Sequence, residues 1–206
     1  HEREIVRAGA GVLLSEVIEY GRQNGLGGLE FLTGIPGSIG GALVNNAGAG
    51  GAIGDVLKSA EIMNENGQVR FLDAGQAALS YRNSCLRKYF ILGCALRVVP
   101  AGQDEINALV AQKWKYKKSV QDFSFPSAGC VFKNPSSDTS AGQIIDRLGL
   151  KGVTRGDAMV SLVHGNFIVN KGNAKALDVI ELIDLVREKV YQKNGIQLEL
   201  EVEIVE

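Results

Sequence analysis

The chain has 206 residues, of which 45% are hydrophobic and 22% charged, a composition that excludes an intrinsically disordered protein. Its formal net charge of −1 lacks the basic excess of a nucleic-acid-binding protein. No apolar run approaches the length of a membrane span, and the charged start His-Glu-Arg-Glu is unlike a signal peptide. With three cysteines, no Cys-x-x-Cys pair and two histidines, we expect a reduced cytoplasmic protein without a zinc site.

Glycine is concentrated between Gly25 and Gly54, which predicts a segment of tight turns. A helix is predicted before this segment, because apolar and small residues recur at helical spacing at Leu13, Leu14, Val17, Ile18 and Gly21. Gly25 is the expected C-terminal stop of that helix. After the segment, Asn66-Gly67 predicts a hairpin between two strands, and a further strand is expected to end at Pro100.

A change in composition near residue 100 predicts two domains, residues 1–100 and 101–206. The second domain begins with a helix whose predicted apolar face comprises Ile106, Leu109, Val110, Lys113 and Trp114. A short helix follows, and then a long helix that Asn173 is expected to cap and Gly195 to end. The tail from Ile196 alternates apolar residues with glutamates, the pattern of a strand with one buried face.

The run Gly34-Ile35-Pro36-Gly37-Ser38-Ile39-Gly40-Gly41 is the first candidate site. Glycines let a backbone approach an anion closely and point its N–H groups at it, and Ser38 adds a hydroxyl. The run is not a Walker loop, since no Gly-Lys-Ser/Thr follows, and it does not fit the dinucleotide fingerprint. A phosphate cradle and a set of tight turns in a β-rich domain therefore remain as two interpretations.

The second candidate is Tyr81-Arg82-Asn83-Ser84. A lone arginine is usually a solvated surface residue. Arg82, however, lies between predicted apolar strands and is close in sequence to two hydroxyl-bearing residues, a combination that suits a clamp for a carboxylate or phosphate.

The third candidate is the segment 127–135, Ser-Ala-Gly-Cys-Val-Phe-Lys-Asn-Pro. Cys130 is interpreted either as a small buried hydrophobic residue or as an acid or nucleophile. Lys133 would supply a cation for an anionic ligand. Asn134 precedes Pro135, so its backbone is held extended and its amide can hydrogen-bond a ligand.

Two weaker candidates lie further along the chain. His164, with Asn166, is in a predicted strand, where a histidine is more often packed and hydrogen-bonded than a ligand. Glu199, Glu201 and Glu203 share one face of the last predicted strand, the usual arrangement of a solvated edge. Because three like charges on one face repel, at most one of these carboxylates is expected to enter a site.

Six motifs in order resemble the UDP-N-acetylenolpyruvoylglucosamine reductase family, from about residue 5 to the end of the chain. They are Gly-Leu-Gly-Gly-Leu-Glu at 25–30, the glycine run with Asn-Asn-Ala-Gly-Ala-Gly-Gly at 34–51, Tyr-Arg-Asn-Ser at 81–84, the segment 127–135, His-Gly-Asn-Phe-Ile-Val-Asn at 164–170 and Leu-Glu-Leu-Glu-Val-Glu-Ile at 198–204.

The resemblance implies an α+β protein: an FAD-binding domain of the vanillyl-alcohol-oxidase/PCMH type, present in part, followed by an α/β substrate-binding domain. NADPH would reduce FAD, and flavin N5 would pass hydride to the enolpyruvyl double bond of UDP-N-acetylglucosamine enolpyruvate. The product, UDP-N-acetylmuramate, serves peptidoglycan synthesis. A monomer in the bacterial cytoplasm is expected.

The resemblance also implies residue roles. Cys130 takes the place of the family's proton donor, a serine or in some members a cysteine, and must keep its proton to donate it. Arg82 and Glu201 would stabilise the enol-like intermediate, because hydride addition builds negative charge on the carboxylate side. The implied cofactor-binding residues are Gly34, Ile35, Pro36, Gly37, Ser38, Gly40, Gly41, Asn45, Ala47 and Gly48. The implied substrate-binding residues are Tyr81, Ser84, Lys133, Asn134 and His164.

The chain departs from the family pattern in three places. The family's further N-terminal flavin-binding segment is absent, so we expect a piece that corresponds to the C-terminal two-thirds. Leu162-Val163 stands where a basic residue usually precedes the histidine, and Asp122 stands where proline is common. The short interval between Arg82 and Cys130 is typical of a compact subtype. The alternatives are another flavin oxidoreductase of the same fold and a non-catalytic UDP-sugar-binding fragment.

Overall fold

The computed structural model describes residues 4–205, and the chain divides into two units, His1–Lys117 and Lys118–Glu206. The elements of the first unit are β1 (Ile5–Gly9), α1 (Leu14–Asn24), β2 (Leu26–Gly27), a 3₁₀ turn (Glu30–Leu32), α2 (Ile39–Val44), α3 (Ile53–Val56), β3 (Leu57–Met63), β4 (Val69–Asp73), a 3₁₀ turn (Cys85–Lys88), β5 (Phe90–Arg97), β6 (Val99–Pro100) and α4 (Gln103–Val120). Strands β1, β5, β3 and β4 form an antiparallel sheet in that order, and β2 pairs with β6.

One face of this sheet carries the core of the first unit. Val6, Ala60, Ile62, Leu72 and Leu96 pack there with apolar residues of α1 and α2. Helix α1 follows the predicted helical spacing, whereas α2 lies within the segment predicted as tight turns and forms because Ile39, Ala42 and Leu43 give it an apolar side to bury. The glycine-rich segment between α1 and β3 is therefore held on a packed scaffold.

Local sequence signals in the first unit are confirmed. Helix α1 ends at Gly25, which takes a left-handed φ of 62°. Strands β3 and β4 form the predicted hairpin, with Gly67 at φ 75°. The Asn64 side chain accepts the N–H groups of Asn66 and Gln68, so the turn is fixed by its own residues.

The second unit has a small antiparallel sheet with helices α5 and α6 packed in its core. Its elements are β7 (Ser127–Cys130), α5 (Ala141–Arg147), β8 (Thr154–Arg155), β9 (Ala158–Val160), β10 (Phe167–Asn170) and α6 (Ala176–Asn194), with strand order β7-β10-β9-β8. Ile145 of α5, Leu182 and Val186 of α6, and Val160 and Ile168 of the sheet share one core. Helix α6 ends at Gly195 as expected.

Two expectations for the second unit are wrong in detail. Asn173 does not cap α6, because the helix starts only at Ala176, after Lys175, whose N–H donates to the Asp178 carboxylate at 2.8 Å. The tail from Ile196 is not a regular strand and makes a single bridge, between Phe132 and Leu200. The ladder is interrupted where one carbonyl, that of Val131, accepts the N–H groups of both Glu201 (2.8 Å) and Val202 (3.5 Å).

The boundary between the units lies after most of α4, whereas the sequence placed it before this helix. The physical reason is that Ile106 and Lys117 of α4 are buried, and Trp114 packs against Gly34. The predicted apolar face of α4 is only partly covered, since Leu109 and Trp114 are each 38% exposed. Among the helices that the structure describes, none combines the length and the apolar character needed to cross a bilayer.

Candidate functional site

The glycine run of the first unit is held by backbone hydrogen bonds to the turn between β1 and α1. Gly40 N–H donates to the Ala10 carbonyl at 2.8 Å, and Ile39 N–H donates to Val12 at 2.9 Å. A Cβ at Gly40 would lie 3.2 Å from Ala10 Cβ and 3.3 Å from its carbonyl oxygen. The close approach of two backbones explains a glycine here.

The start of α2 leaves an accessible stretch of main chain. Gly37 has a φ of 134°, a backbone conformation that favours glycine. A Cβ there would meet nothing within 4 Å, so the residue borders open space. Ser38 precedes α2, and its hydroxyl accepts the Gly41 N–H at 3.4 Å. Pro36, Gly37 and Gly41 are exposed. The run thus has tight turns and also an open backbone surface.

The loop after α2 is organised by Asn46, which the sequence reasoning did not single out. This buried residue has a left-handed φ of 43°. Its side chain accepts the Gly54 N–H at 3.0 Å and donates to the Ser80 carbonyl at 2.9 Å. The available signal was the Asn-Asn pair before a glycine cluster, since asparagine is enriched among non-glycine residues in this conformation. At Gly48, a Cβ would collide with the Gly51 carbonyl.

Arg82 lies against this same loop. Its Nη1 and Nη2 atoms are both 3.5 Å from the Gly48 carbonyl oxygen, and its guanidinium lies 5.3 Å from the centre of the Tyr81 ring. Arg82 has a φ of 53°, a strained conformation for a residue with a side chain, and such outliers cluster at functional sites. The structure therefore brings two predicted motifs together.

Other side chains near the loop form hydrogen bonds within the protein. The buried Ser84 hydroxyl donates to the Val44 carbonyl at 2.9 Å, and Asn45 accepts a hydrogen bond from Arg87 at 2.8 Å. Cys94 is in the core, and burial raises the pKa of its thiol to about 12. Cys85 is half-buried at the start of the 3₁₀ turn before β5, and its thiol donates to the Gln76 carbonyl at 3.0 Å.

In the second unit, the backbone brings Cys130 and Glu201 to one place. Val131, which follows Cys130, accepts the Glu201 N–H at 2.8 Å, and its own N–H donates to the Asn166 carbonyl at 2.9 Å. Glu201 is half-buried, whereas Glu199 and Glu203 are exposed. Of the three glutamates in this row, Glu201 is therefore the one that is partly shielded from solvent.

The next polar residues of the segment, Lys133 and Asn134, each make a side-chain contact within the protein. Lys133 Nζ is 3.4 Å from the Glu199 carboxylate, whose side chain is 76% exposed, so this is a surface ion pair. Asn134 is exposed, and its side-chain oxygen accepts the Ala141 N–H at 3.1 Å at the start of α5. Both side chains remain near the segment that carries Cys130.

His164 is packed and hydrogen-bonded, the more common state of a histidine in such a position. Its Nδ1 accepts the Asn166 N–H at 3.2 Å, and its ring lies 4.5 Å from that of Phe167. Burial lowers the pKa of His164, and the positive charge of Lys151 lowers it further. Because Nδ1 is an acceptor, the neutral ring carries its proton on Nε2.

Asp122, which stands where the family commonly has proline, is buried and hydrogen-bonded to Ser161. Its carboxylate accepts the Ser161 hydroxyl at 2.7 Å, and this bond lowers the pKa of Asp122. Ser161 in turn accepts the N–H groups of Val163 and His164 at 3.0 and 3.1 Å. Asp122 thus holds the turn that leads into His164.

Comparisons with known proteins agree with these features. The model for the UDP-N-acetylenolpyruvoylglucosamine reductase C-terminal domain matches residues 120–205, and a model for an FAD binding domain matches residues 1–73. UDP-N-acetylenolpyruvoylglucosamine reductase of Anoxybacillus flavithermus is 41% identical over all of this chain and 68% of its own length. The protein of the same name from Pseudothermotoga lettingae is 41% identical, over 98% of this chain and 72% of its own length.

A solved structure gives the same result. The crystal structure of UDP-N-acetylenolpyruvylglucosamine reductase from Thermus caldophilus superposes with a TM-score of 0.87 at 38% identity, covering 98% of this chain and 73% of that one. The chain thus spans about two thirds of the length of the relatives it matches. These matches confirm the predicted α+β fold class, an FAD-binding domain followed by a C-terminal domain.

Proposed function

Because the chain belongs to the UDP-N-acetylenolpyruvoylglucosamine reductase family, we propose that it supplies the residues that catalyse the family's reduction of an enolpyruvyl UDP-sugar. The family consists of NADPH-dependent FAD oxidoreductases that reduce UDP-N-acetylglucosamine enolpyruvate in peptidoglycan synthesis. The observation that carries the assignment is the hydrogen bond from Glu201 N–H to the Val131 carbonyl, which places Glu201 beside the residue after Cys130.

The first unit has features that fit FAD. Gly37 borders open space, and the close backbone contacts at Gly40 and Gly48 fix the main chain at the start of α2 and in the loop after it. The residues that would hold the cofactor are Gly34, Ile35, Pro36, Gly37, Ser38, Gly40, Gly41, Asn45, Ala47 and Gly48. Bound FAD supplies the hydride, taken from NADPH, for the enolpyruvyl double bond.

Cys130 is the proposed proton donor. As hydride reaches one carbon of the double bond, the Cys130 S–H bond breaks and a C–H bond forms at the neighbouring carbon. The resulting thiolate recovers its proton from solvent. A thiol is a stronger acid than the hydroxyl of a serine, so it suits this role.

Arg82 and Glu201 are proposed to stabilise the charge that develops on the enolpyruvyl carboxylate side. A fixed guanidinium stabilises that charge, and the Glu201 carboxyl group shares the enolic proton. Tyr81, Lys133, Asn134 and His164 are proposed substrate contacts. The Ser84 hydroxyl bonds to Val44, so we assign it to the support of the Arg82 segment.

Flavin titration tests this proposal. FAD is added to the 206-residue chain and followed by absorbance and fluorescence, and NADPH and the enolpyruvyl UDP-sugar are then added. We expect saturable flavin binding and NADPH oxidation that requires the sugar, with UDP-N-acetylmuramate as product. Binding of the sugar without flavin binding or turnover would favour a non-catalytic UDP-sugar-binding fragment.

A cytoplasmic monomer is the proposed state of the protein. The near-neutral net charge of −1 gives no electrostatic reason for a nucleic-acid partner. Sedimentation of the same preparation should give the mass of a single chain, and a concentration-dependent dimer would contradict the proposal.

A further inference from the structure

Asn166 is a buried residue that pairs with the segment after Cys130, and both ends of its side-chain amide are hydrogen-bonded. It lies directly before β10 and is 3% exposed. Its side-chain oxygen accepts the Phe132 N–H at 2.9 Å, and its amide nitrogen donates to the Phe132 carbonyl at 2.7 Å. One planar amide therefore satisfies both backbone groups of a single residue, as a neighbouring strand would.

The amide lies just beyond the end of the regular ladder. Strands β7 and β10 pair at Ser127 with Val169 and at Cys130 with Phe167, with a register shift between these two pairs. The pair of Cys130 with Phe167 is the last one. Beyond Cys130, the Val131 N–H donates to the Asn166 main-chain carbonyl at 2.9 Å. The side chain and main chain of Asn166 thus continue the pairing over the residues that follow Cys130.

The opposite edge of the same segment carries Glu201. The Val131 carbonyl accepts the Glu201 N–H at 2.8 Å, so Val131 is bonded to Asn166 on one side and to the C-terminal tail on the other. Asn166 is itself oriented by its N–H, which donates to His164 Nδ1 at 3.2 Å. A shift of Asn166 would therefore move Val131, with Cys130 beside it and Glu201 attached to it.

We propose that Asn166 is a positioning residue for the protonation step, and that it fixes the Cys130 thiol and the Glu201 carboxyl group relative to each other. This proposal rests on the role of Cys130 proposed above. A misplacement of about 1 Å at a reacting group can lower a rate about 100-fold, so a residue that sets this spacing affects catalysis without touching the substrate.

The test compares Asn166→Ala with Asn170→Ala, a matched loss of an amide from the other end of β10. The Asn170 side chain accepts the N–H groups of Gly172 and Ala174 at 2.9 and 3.0 Å. These two bonds lie in the turn after β10 and do not involve residues 131–133. The readout is the rate of Cys130 alkylation by iodoacetamide as a function of pH, with peptide mapping to separate Cys130 from Cys85.

We expect Asn166→Ala to raise the alkylation rate of Cys130 about tenfold and to shift its pH profile, because the segment loses the two side-chain hydrogen bonds that restrain Phe132. Asn170→Ala should stay within about twofold of the parent. Equal profiles in both variants would overturn the proposal. If Asn166→Ala does not fold by circular dichroism, Asn166→Asp, which keeps the acceptor and loses the donor at neutral pH, is judged by the same criteria.

Turnover supplies a second readout. In flavin-loaded protein, Asn166→Ala should slow flavin reoxidation by the enolpyruvyl sugar about 100-fold and leave flavin reduction by NADPH within about twofold. Equal loss in both half-reactions would count against a positioning role. If the parent chain has no turnover at all, the proposed function fails, whereas the alkylation comparison still decides the role of Asn166.

Discussion

The two units hold their candidate residues by different means. In the first unit, the proposed cofactor surface is main chain, shaped by glycines at Gly37, Gly40 and Gly48. In the second unit, the segment after Cys130 is held by a side chain, the buried amide of Asn166. The first surface depends on the absence of side-chain atoms and the second on the presence of specific ones.

This difference predicts opposite sensitivities. A backbone surface is damaged by an added methyl group, because neighbouring main-chain atoms cannot move away. A side-chain clamp is damaged by truncation, because the buried partners lose their hydrogen bonds. Arg82 and Ser84 are exceptions in the first unit, because each contacts the main chain of this segment through its side chain.

Gly48→Ala should have the largest effect on stability. The new Cβ would collide with the Gly51 carbonyl and lie 2.7 Å from Ala52 Cα, so we expect a loss of about 3 kcal/mol or more and of flavin binding. Urea unfolding followed by circular dichroism measures it. Gly11→Ala is the control, because nothing lies within 4 Å of its Cβ position, and a similar loss there would refute the explanation.

Arg82→Ala tests whether the first unit contributes a side chain to the chemistry. We expect kcat/KM to fall about 100-fold, the usual cost of removing one group that stabilises developing charge. Steady-state NADPH oxidation measures this. Arg97→Ala is the control, since the Arg97 guanidinium donates to the Asp55 carbonyl at 3.2 Å and is not a candidate site residue. An equal decrease in both variants would show that Arg82 has no special role.

Ser84→Ala separates a structural role from a substrate contact. The buried hydroxyl donates to Val44 at 2.9 Å, so its loss should lower the free energy of unfolding by about 1 kcal/mol and leave KM unchanged. The exposed Ser15→Ala is the stability control. A large rise in KM at full stability would instead assign Ser84 to the substrate.

His164 predicts a small pH dependence of the stability of the second unit. Burial lowers the pKa of His164 below its ordinary value of 6.5, so the unfolded chain binds the proton more readily than the folded one. Stability should therefore fall as the pH drops below about 6.5, with no contribution above it. His164→Gln should flatten this part of the curve in urea titrations between about pH 7 and pH 5, and an unchanged slope would contradict the assignment.

The sequence predicted features whose causes are local. The end of α1 at Gly25 and the hairpin at Asn66-Gly67 follow from the conformations of neighbouring residues, and both are observed. Arg82 and Cys130 were candidates from their local sequence, whereas their proposed roles and the choice of Glu201 came from the family resemblance.

The organising asparagines could not be predicted, because their partners are distant in sequence. Asn46 bonds to Ser80 and Asn166 to Phe132, in both cases across 34 residues. The predicted cap at Asn173 is wrong because α6 begins at Ala176, after Lys175, and Asn173 lies in the preceding turn, where its N–H donates to Asp157. Only the folded arrangement shows how these polar groups are paired.

Rapid-mixing kinetics of Cys130→Ala tests the central claim most directly. Flavin-loaded protein is reduced by NADPH and then mixed with the enolpyruvyl UDP-sugar. The account predicts that flavin reduction keeps its parental rate and that reoxidation by the sugar slows by about 10²–10⁴-fold, because the proton donor is missing. Reoxidation at the parental rate, or an equal loss in both half-reactions, would contradict the assignment of Cys130 as the acid.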